Sequence, residues 1–237
     1  MLPLTPPTRT LLLLSGRRSW LGARPAPARG NSRIPPPRRR HHFSMMMGSS
    51  AVGQRAPATV KLRAIEATPA SFAEFGQVIS TNPDGGEFGP SDAQLELHRG
   101  VPRFYIMHLE DRKLKFSKIT HHASVTQCLG SVGGDEWYLG VAKASILEGE
   151  NVGVEMGKKV VKSACGHYYI PPHPDNVFVF RIAGPKFLKL DIGTWHAGPL
   201  FRQMTMDFYN LELSNTNVVD HTTHHFSEDG VVFLIED

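Results

Sequence analysis

The chain has 237 residues, 41% of them hydrophobic, and a formal net charge of +4. This length and composition suit one or two globular domains, and no run of eighteen apolar residues predicts a membrane span. Twelve of the 26 basic residues precede Glu66, so 14 basic residues stand against all 22 acidic ones in the remainder, a net charge of −8. An acidic body argues against nucleic-acid binding, which requires a basic face on the folded domain.

Residues 1–47 have the composition of a targeting leader. They are rich in arginine, proline and alanine, contain no acidic residue, and carry a run of arginines and histidines at 38–42. This composition is typical of an organellar transit peptide and predicts a mitochondrial or plastid location. An internal start at Met45 to Met47 is the alternative and would give a cytoplasmic form. Residues 48–60 are interpreted as a linker.

A short helix and a loop are predicted at the start of the body, near Lys61. Thr68 can cap the helix, Pro69 suits its first position and Gly76 suits its end. The segment TNPDGGEFGPSD, residues 81–92, is predicted as a loop because glycines follow an aspartate and prolines lie near both ends.

The rest of the chain has the pattern of short strands separated by turns. The runs are rich in aromatic and β-branched residues, and no long amphipathic helix interrupts them. The predicted strands are RFYIMHLE, LKFSKITHH, DEWYLGVAKAS, HYYIPP, NVFVFRIAG, KFLKLDI, MTMDFYNLEL and VVFLIED. This pattern predicts one all-β domain over residues 61–237, an antiparallel sandwich or barrel.

Histidines are the main chemical signal of the body. His121 and His122 end a predicted strand, and neighbouring strand residues face opposite sides, so at most one of them points into a barrel. His196 lies in GTWHAGP, a predicted tight turn about seventy residues later. We expect His196 to point toward His122. The late cluster DHTTHHF, residues 220–226, is interpreted as a polar connecting segment because it lacks apolar periodicity.

The segments THHASVTQ and GTWH resemble, in order and spacing, the two motifs of a cupin, the double-stranded β-helix family. The resemblance implies a cupin-like barrel with a short N-terminal helix. The ligand positions of the motifs fall on Thr120, His122, Gln127 and His196. A divalent metal ion would therefore be bound by His122 and His196, since neutral imidazole is a good ligand and an amide oxygen a weak one. The alternative is that these histidines satisfy hydrogen bonds inside an apolar barrel.

Within the cupins, the chain resembles the ureidoglycolate lyase family, also called ureidoglycolate hydrolase. Four segments carry the resemblance over roughly residues 62–215: ATPASFAEFGQVIS, ITHHASVTQCLG, GTWHAGPLF and MDFYNLE. It implies cleavage of ureidoglycolate, a small carboxylate, to glyoxylate and urea in allantoin and purine nitrogen catabolism. It also implies a homodimer.

The implied chemistry gives roles to particular side chains. His122 and His196 act as acid and base or as metal ligands, and the Gln127 amide orients the substrate. Asp207 steers one imidazole, or is an outward polar residue of an alternating strand. Trp195 forms a wall of the substrate pocket, or belongs to the core.

Two departures from the family pattern affect the substrate. The family's arginine falls on Ile192 and its second histidine on Ala197, so this segment lacks a guanidinium to bind a carboxylate. Lys189, Arg103 or Arg181 could serve as the substrate-binding basic group. If none of them lies in the pocket, a non-catalytic cupin-fold binding protein is favoured. A cupin enzyme acting on another small carboxylate is the third interpretation.

Overall fold

The structure is a computed structural model and describes residues 56–147 and 159–237. The predicted leader, residues 1–47, lies outside these residues, as does most of the predicted linker, 48–60. The first strand begins at Ala58, slightly before the domain start predicted from the sequence.

Strands dominate the described residues, and both α-helices in this part of the chain are single turns. The strands are β1 (Ala58–Glu66), β2 (Gly76–Ile79), β3 (Pro102–Glu110), β4 (Lys115–Phe116), β5 (Lys118–His121), β6 (Gln127–Ser131), β7 (Trp137–Ala142), β8 (Ile146–Leu147), β9 (Val161–Lys162), β10 (Tyr168–Tyr169), β11 (Phe178–Ile182), β12 (Phe187–Leu190), β13 (Trp195–Leu200), β14 (Thr205–Leu213), β15 (Thr222–His225) and β16 (Val231–Glu236). The helices are α1 (Pro69–Phe72) and α2 (Thr216–Val219), and a 3-10 turn covers Pro174–Asn176. The predicted all-β fold with a short N-terminal helix is confirmed.

The strands form three curled sheets. The largest has eight strands in the order β15-β5-β13-β7-β11-β1-β16-β4, and the second has five in the order β2-β12-β6-β14-β3. A third, small sheet has the order β8-β10-β9. Pairing is antiparallel except for β1, which runs parallel to β11 and β16. The two larger sheets give the barrel-like architecture that the spacing of short strands predicts.

The N-terminal helix begins where the sequence predicts but ends earlier. The Thr68 side chain accepts a hydrogen bond from the Ser71 backbone N–H at 3.1 Å, and Pro69 occupies the first helical position. Gly76 does not end the helix but begins β2, with a φ of +148°. A Cβ atom there would lie 1.9 Å from the Lys189 carbonyl oxygen, so the close approach of β2 to β12 requires glycine.

Alternation along β7 places its side chains in two separate apolar clusters. Trp137, Leu139 and Val141 join buried side chains of the five-stranded sheet, whereas Tyr138 and Ala142 belong to a cluster on the other face. The eight-stranded sheet therefore packs against apolar side chains on both faces. Successive side chains on each strand of this sheet face opposite sides, so only every second residue can reach a functional site on a given face.

Two further expectations concern loops and membrane spans. The segment predicted as a loop, residues 81–92, has no regular secondary structure. Across 56–147 and 159–237, no helix combines the length and the apolar character needed to cross a membrane.

Candidate functional site

A cleft of about 740 Å³ lies between the two larger sheets. Strands β3, β6 and β14 contribute to one wall, and β5, β13 and β15 contribute to the other. Residues 111–113 and 115–118, which follow β3 and include β4 and the start of β5, also line it and are mostly exposed. We call the part of the cleft lined by the buried Gln127, Asn210 and Glu212 its inner end, beside which the exposed Asn217 and His221 also lie, and the part lined by exposed basic side chains its rim.

The cleft brings His122 and His196 together. β5 and β13 pair with His196 opposite Thr120, so His122, two residues further along, projects to the same side. The centroids of the two imidazole rings lie 5.2 Å apart. Two segments that are far apart in the sequence therefore meet at one wall of the cleft. The segment GTWHAGP, predicted as a tight turn, is a turn only in its first residues. β13 begins at Trp195, so His196 reaches this wall from a strand.

Hydrogen bonds fix which nitrogen each imidazole offers to the cleft. His122 Nδ1 lies 2.5 Å from the Asp220 carbonyl oxygen, and His196 Nδ1 lies 3.3 Å from the Thr194 carbonyl oxygen. A carbonyl oxygen only accepts, so Nδ1 donates in both residues and Nε2 is left as the proton acceptor or metal ligand. Burial lowers the pKa of His196 to about 3, with a further contribution from His122. The His196 imidazole is therefore neutral at physiological pH.

His121, the neighbour of His122, faces away from the cleft. Its ring lies edge-on to Trp195 with the centroids 4.0 Å apart, and its Nε2 is 2.7 Å from His167 Nε2. Burial, assisted by the neighbouring imidazoles, lowers the pKa of His121 to about 3. Of the two adjacent histidines, His122 is thus the one that enters the cleft.

The segment DHTTHHF is not the polar connection expected from the sequence. Residues Thr222–His225 form β15, which pairs antiparallel with β5. Asp220 accepts backbone N–H bonds from Ala123 at 2.6 Å and Ser124 at 2.8 Å, which anchors the chain just after His122. His221 lines the cleft, with its ring centroid 5.6 Å from that of His122. β15 is stabilised by its pairing with β5. The polar composition of the segment does not by itself predict a strand.

Four side chains at the inner end form a closed ring of hydrogen bonds. Gln127 Nε2 donates to Asn210 Oδ1 at 3.1 Å and to Glu212 Oε2 at 3.2 Å. Asn210 Nδ2 donates to the Tyr105 hydroxyl oxygen at 3.0 Å, and that hydroxyl donates to Glu212 Oε1 at 3.2 Å. Glu212 is 1% exposed. Gln127 Oε1 is buried and has no hydrogen-bond partner among the described residues.

Sequence reasoning missed Asn210 and Glu212, although a signal for them exists. In β14 the buried positions Met206, Phe208, Asn210 and Glu212 are two residues apart. Two polar residues therefore continue an apolar inward-facing series, which is unusual unless they are hydrogen-bonded or functional.

The rim of the cleft is basic. Arg112, Lys113, Lys115 and Lys118 all line it, and all four are exposed. Asp111 is the acidic residue among them and lies 3.6 Å from the Lys113 ammonium. Residues 112–118 therefore place positive charge at the cleft, whereas Ile192 and Ala197 carry none.

The basic residues suggested by the sequence lie elsewhere. Lys189 is buried on the face of β12 opposite the core residues and pairs with Asp191, so it does not reach the cleft. Arg181 is on β11 and lies 3.2 Å from Glu66, on the face of the eight-stranded sheet that points away from the cleft. Arg103 covers the Tyr105 ring at 3.7 Å and does not line the cleft.

Trp195 and Asp207 also differ from their expected substrate-binding roles. Trp195 is fully buried in the core, and its Nε1 donates to Ser145 Oγ at 2.9 Å. It precedes His196 on β13 and so faces the opposite side. Asp207 is on the exposed face of β14, where it contacts an imidazole outside the cleft, His108 Nδ1, at 2.6 Å.

The donors in the cleft fit a metal ion only as a pair of imidazoles. Two imidazoles that bind one ion at about 2.1 Å place their ring centroids about 5 Å apart, which His122 and His196 satisfy. Within the two described ranges, no three His, Cys, Asp or Glu side chains converge in a geometry that could hold a metal.

The sequence matches no protein-family model and no curated protein.

Proposed function

We propose that the chain is an enzyme of the ureidoglycolate lyase type, which cleaves ureidoglycolate to glyoxylate and urea. The observation that supports this most directly is the convergence of His122, His196 and Gln127 in one cleft with a basic rim. Such a cleft offers imidazoles for proton transfer, an amide for a ureido group and cations for a carboxylate.

The reaction is an internal transfer of one proton. The central carbon of ureidoglycolate bears a hydroxyl group, a carboxylate and the ureido nitrogen. As the hydroxyl proton leaves, the O–H electron pair forms the C=O bond of glyoxylate and the C–N bond breaks toward nitrogen. The nitrogen takes up a proton and departs as urea, so neither water nor a redox partner is consumed.

The two imidazoles can divide this task. His196 is neutral, as a base must be, and its Nε2 accepts the hydroxyl proton. His122 in its cationic form donates its Nε2 proton to the departing nitrogen, while its Nδ1–H bond to the Asp220 carbonyl holds the ring in position. The proton returns from one ring to the other after release, because the two rings are neighbours.

The rim binds the substrate carboxylate in this proposal. Arg112, Lys113, Lys115 and Lys118 provide the positive charge that the segment around Ile192 lacks. If His122 and His196 instead bound a divalent metal ion, that ion would supply polarisation of the hydroxyl and carboxylate oxygens in place of proton transfer by the two rings. The organellar location, the homodimer and the place in allantoin catabolism remain predictions from the leader and the family resemblance.

The direct test is glyoxylate release from ureidoglycolate by the full chain, with and without added divalent metal ions. We expect release above the uncatalysed rate, and a loss of at least about a hundredfold in His196→Ala, the usual range for removing an acid–base group. His108→Ala is the matched control, because His108 is an exposed histidine outside the cleft. No release from folded protein under either condition would refute the enzyme and favour a binding protein.

A further inference from the structure

The inner end of the cleft contains a hydrogen-bond acceptor that has no partner among residues 56–147 and 159–237. It is Gln127 Oε1, a buried atom of a side chain that lines the cleft. Leaving a buried acceptor unpaired costs stability, and native structures rarely do so without reason.

The ring of hydrogen bonds fixes the direction of each proton within it. The Glu212 carboxylate accepts only, so the Tyr105 hydroxyl and Gln127 Nε2 must donate to it. Burial raises the pKa of Tyr105, which keeps its hydroxyl protonated. With that proton directed to Glu212, the Tyr105 oxygen accepts from Asn210 Nδ2, and Asn210 Oδ1 turns toward Gln127.

Both N–H bonds of the Gln127 amide are therefore used inside the protein. One goes to Asn210 Oδ1 and the other to Glu212 Oε2. The amide cannot flip without placing its oxygen against the Glu212 carboxylate, where two acceptors would meet. Oε1 is thus presented as an acceptor in a fixed position.

We propose that the inner end of the cleft is a subsite for an N–H donor, in which Gln127 Oε1 accepts from the ligand and Glu212, Asn210 and Tyr105 act as positioning residues. The ligand class is a small anion with an amide or ureide group at the other end. The buried Glu212 carboxylate repels a ligand carboxylate from the inner end, and the basic rim attracts it. The ligand therefore binds with its N–H groups inward; only its identity as a ureide rests on the proposed lyase function.

Binding of two isosteric ligands to the full chain tests this directly. N-carbamoylglycine has a ureido group and a carboxylate but no hydroxyl, so it cannot undergo the cleavage. Levulinate has the same shape with CH₃ and CH₂ in place of NH₂ and NH. By calorimetry we expect N-carbamoylglycine to bind at least about tenfold more tightly, the cost of leaving a buried acceptor unpaired. Equal affinities, or binding of neither ligand, would overturn the subsite.

The variant Glu212→Gln tests the positioning role. An amide at position 212 can donate, so Gln127 can turn and present its Nε2 to the ligand. We expect N-carbamoylglycine to lose about tenfold in affinity while levulinate, which can accept from Nε2, binds as well as before or better. Asp207→Asn, the same kind of change on the exposed face of β14, is the control and should alter neither affinity.

Each result of these measurements supports or overturns the proposal. An equal loss for both ligands in Glu212→Gln would mean that Glu212 only supports the fold, and would refute the positioning role. If that variant does not fold, the comparison of the two ligands on the unaltered chain still decides whether the subsite exists. Glyoxylate release plays no part in these experiments, so failure of the lyase proposal is recognised separately.

Discussion

At the scale of single residues, the exposed charges of the rim suit a role in binding the proposed substrate rather than in its chemistry. Arg112 and Lys118 line the cleft, whereas the imidazoles His122 and His196 lie on its wall beyond them. Interactions between exposed charges are weak and are screened by salt. The rim charges should therefore act together on binding, and each should contribute modestly.

We expect Arg112→Ala and Lys118→Ala each to raise the KM for ureidoglycolate by about two- to fivefold, with kcat little changed, because exposed ion pairs contribute under about 1 kcal/mol. The effect should shrink at high salt. Lys143→Ala is the matched control, since Lys143 is exposed, pairs with Glu74 and does not line the cleft. A fall in kcat with an unchanged KM would contradict a binding role for the rim.

Single residues also show how far the candidate site could be predicted. The order and spacing of His122, His196 and Gln127 resemble a known motif and predict a shared site, and all three line the cleft. The sequence does not point to Glu212, because a glutamate in an alternating strand is usually exposed, and here the buried positions of β14 happen to include residue 212. The charge of Lys189 suggests a substrate-binding role, but the sequence does not show which face of β12 this residue occupies.

At the scale of elements, the connection after β5 depends on a contact with a distant part of the chain. Asp220 accepts two backbone N–H bonds there, and its carbonyl orients His122. The sequence predicts the strand before His122 from its β-branched residues, but it cannot predict β15, whose polar residues pair with β5 only in the folded chain. Composition therefore predicts individual strands but not which distant strands pair with one another.

Asp220→Asn should weaken both this connection and the chemistry. An amide in place of the carboxylate leaves at most one oxygen to accept from Ala123 and Ser124, so we expect a loss of about 1–3 kcal/mol in the free energy of unfolding, measured with urea. A lower kcat should accompany it, because His122 loses its fixed position. Asp175→Asn, at an exposed aspartate in the 3-10 turn, is the control. Unchanged stability and kcat would refute the anchoring role.

At the scale of the whole molecule, buried histidines make the fold sensitive to acid. His121 and His196 have a pKa of about 3 in the folded chain, against about 6.5 for an unfolded imidazole. Burial also lowers the pKa of His167, His221 and His224. Between pH 6.5 and 3 the unfolded chain therefore binds more protons than the folded one, and the free energy of unfolding falls as pH falls through this window.

We expect the urea midpoint to be clearly lower at pH 5.5 than at pH 7.5, with each such histidine contributing at most about 1.4 kcal/mol per pH unit below pH 6.5. His121→Gln should reduce the difference between the two pH values, even if it lowers stability at both. His173→Gln, at an exposed histidine, should leave that difference unchanged. Equal midpoints at pH 5.5 and 7.5 in the unaltered chain would contradict the prediction.

The contrast between a buried inner end and an exposed rim also bears on the order in which products depart. In the proposed enzyme the ureido group lies next to the buried Gln127 and Glu212 and the carboxylate among the exposed rim charges, so urea forms in the less exposed part of the cleft. We therefore expect glyoxylate to leave first and urea to be the last product on the enzyme. Urea should accordingly inhibit competitively against ureidoglycolate, because both bind the free enzyme, whereas inhibition by glyoxylate should be noncompetitive.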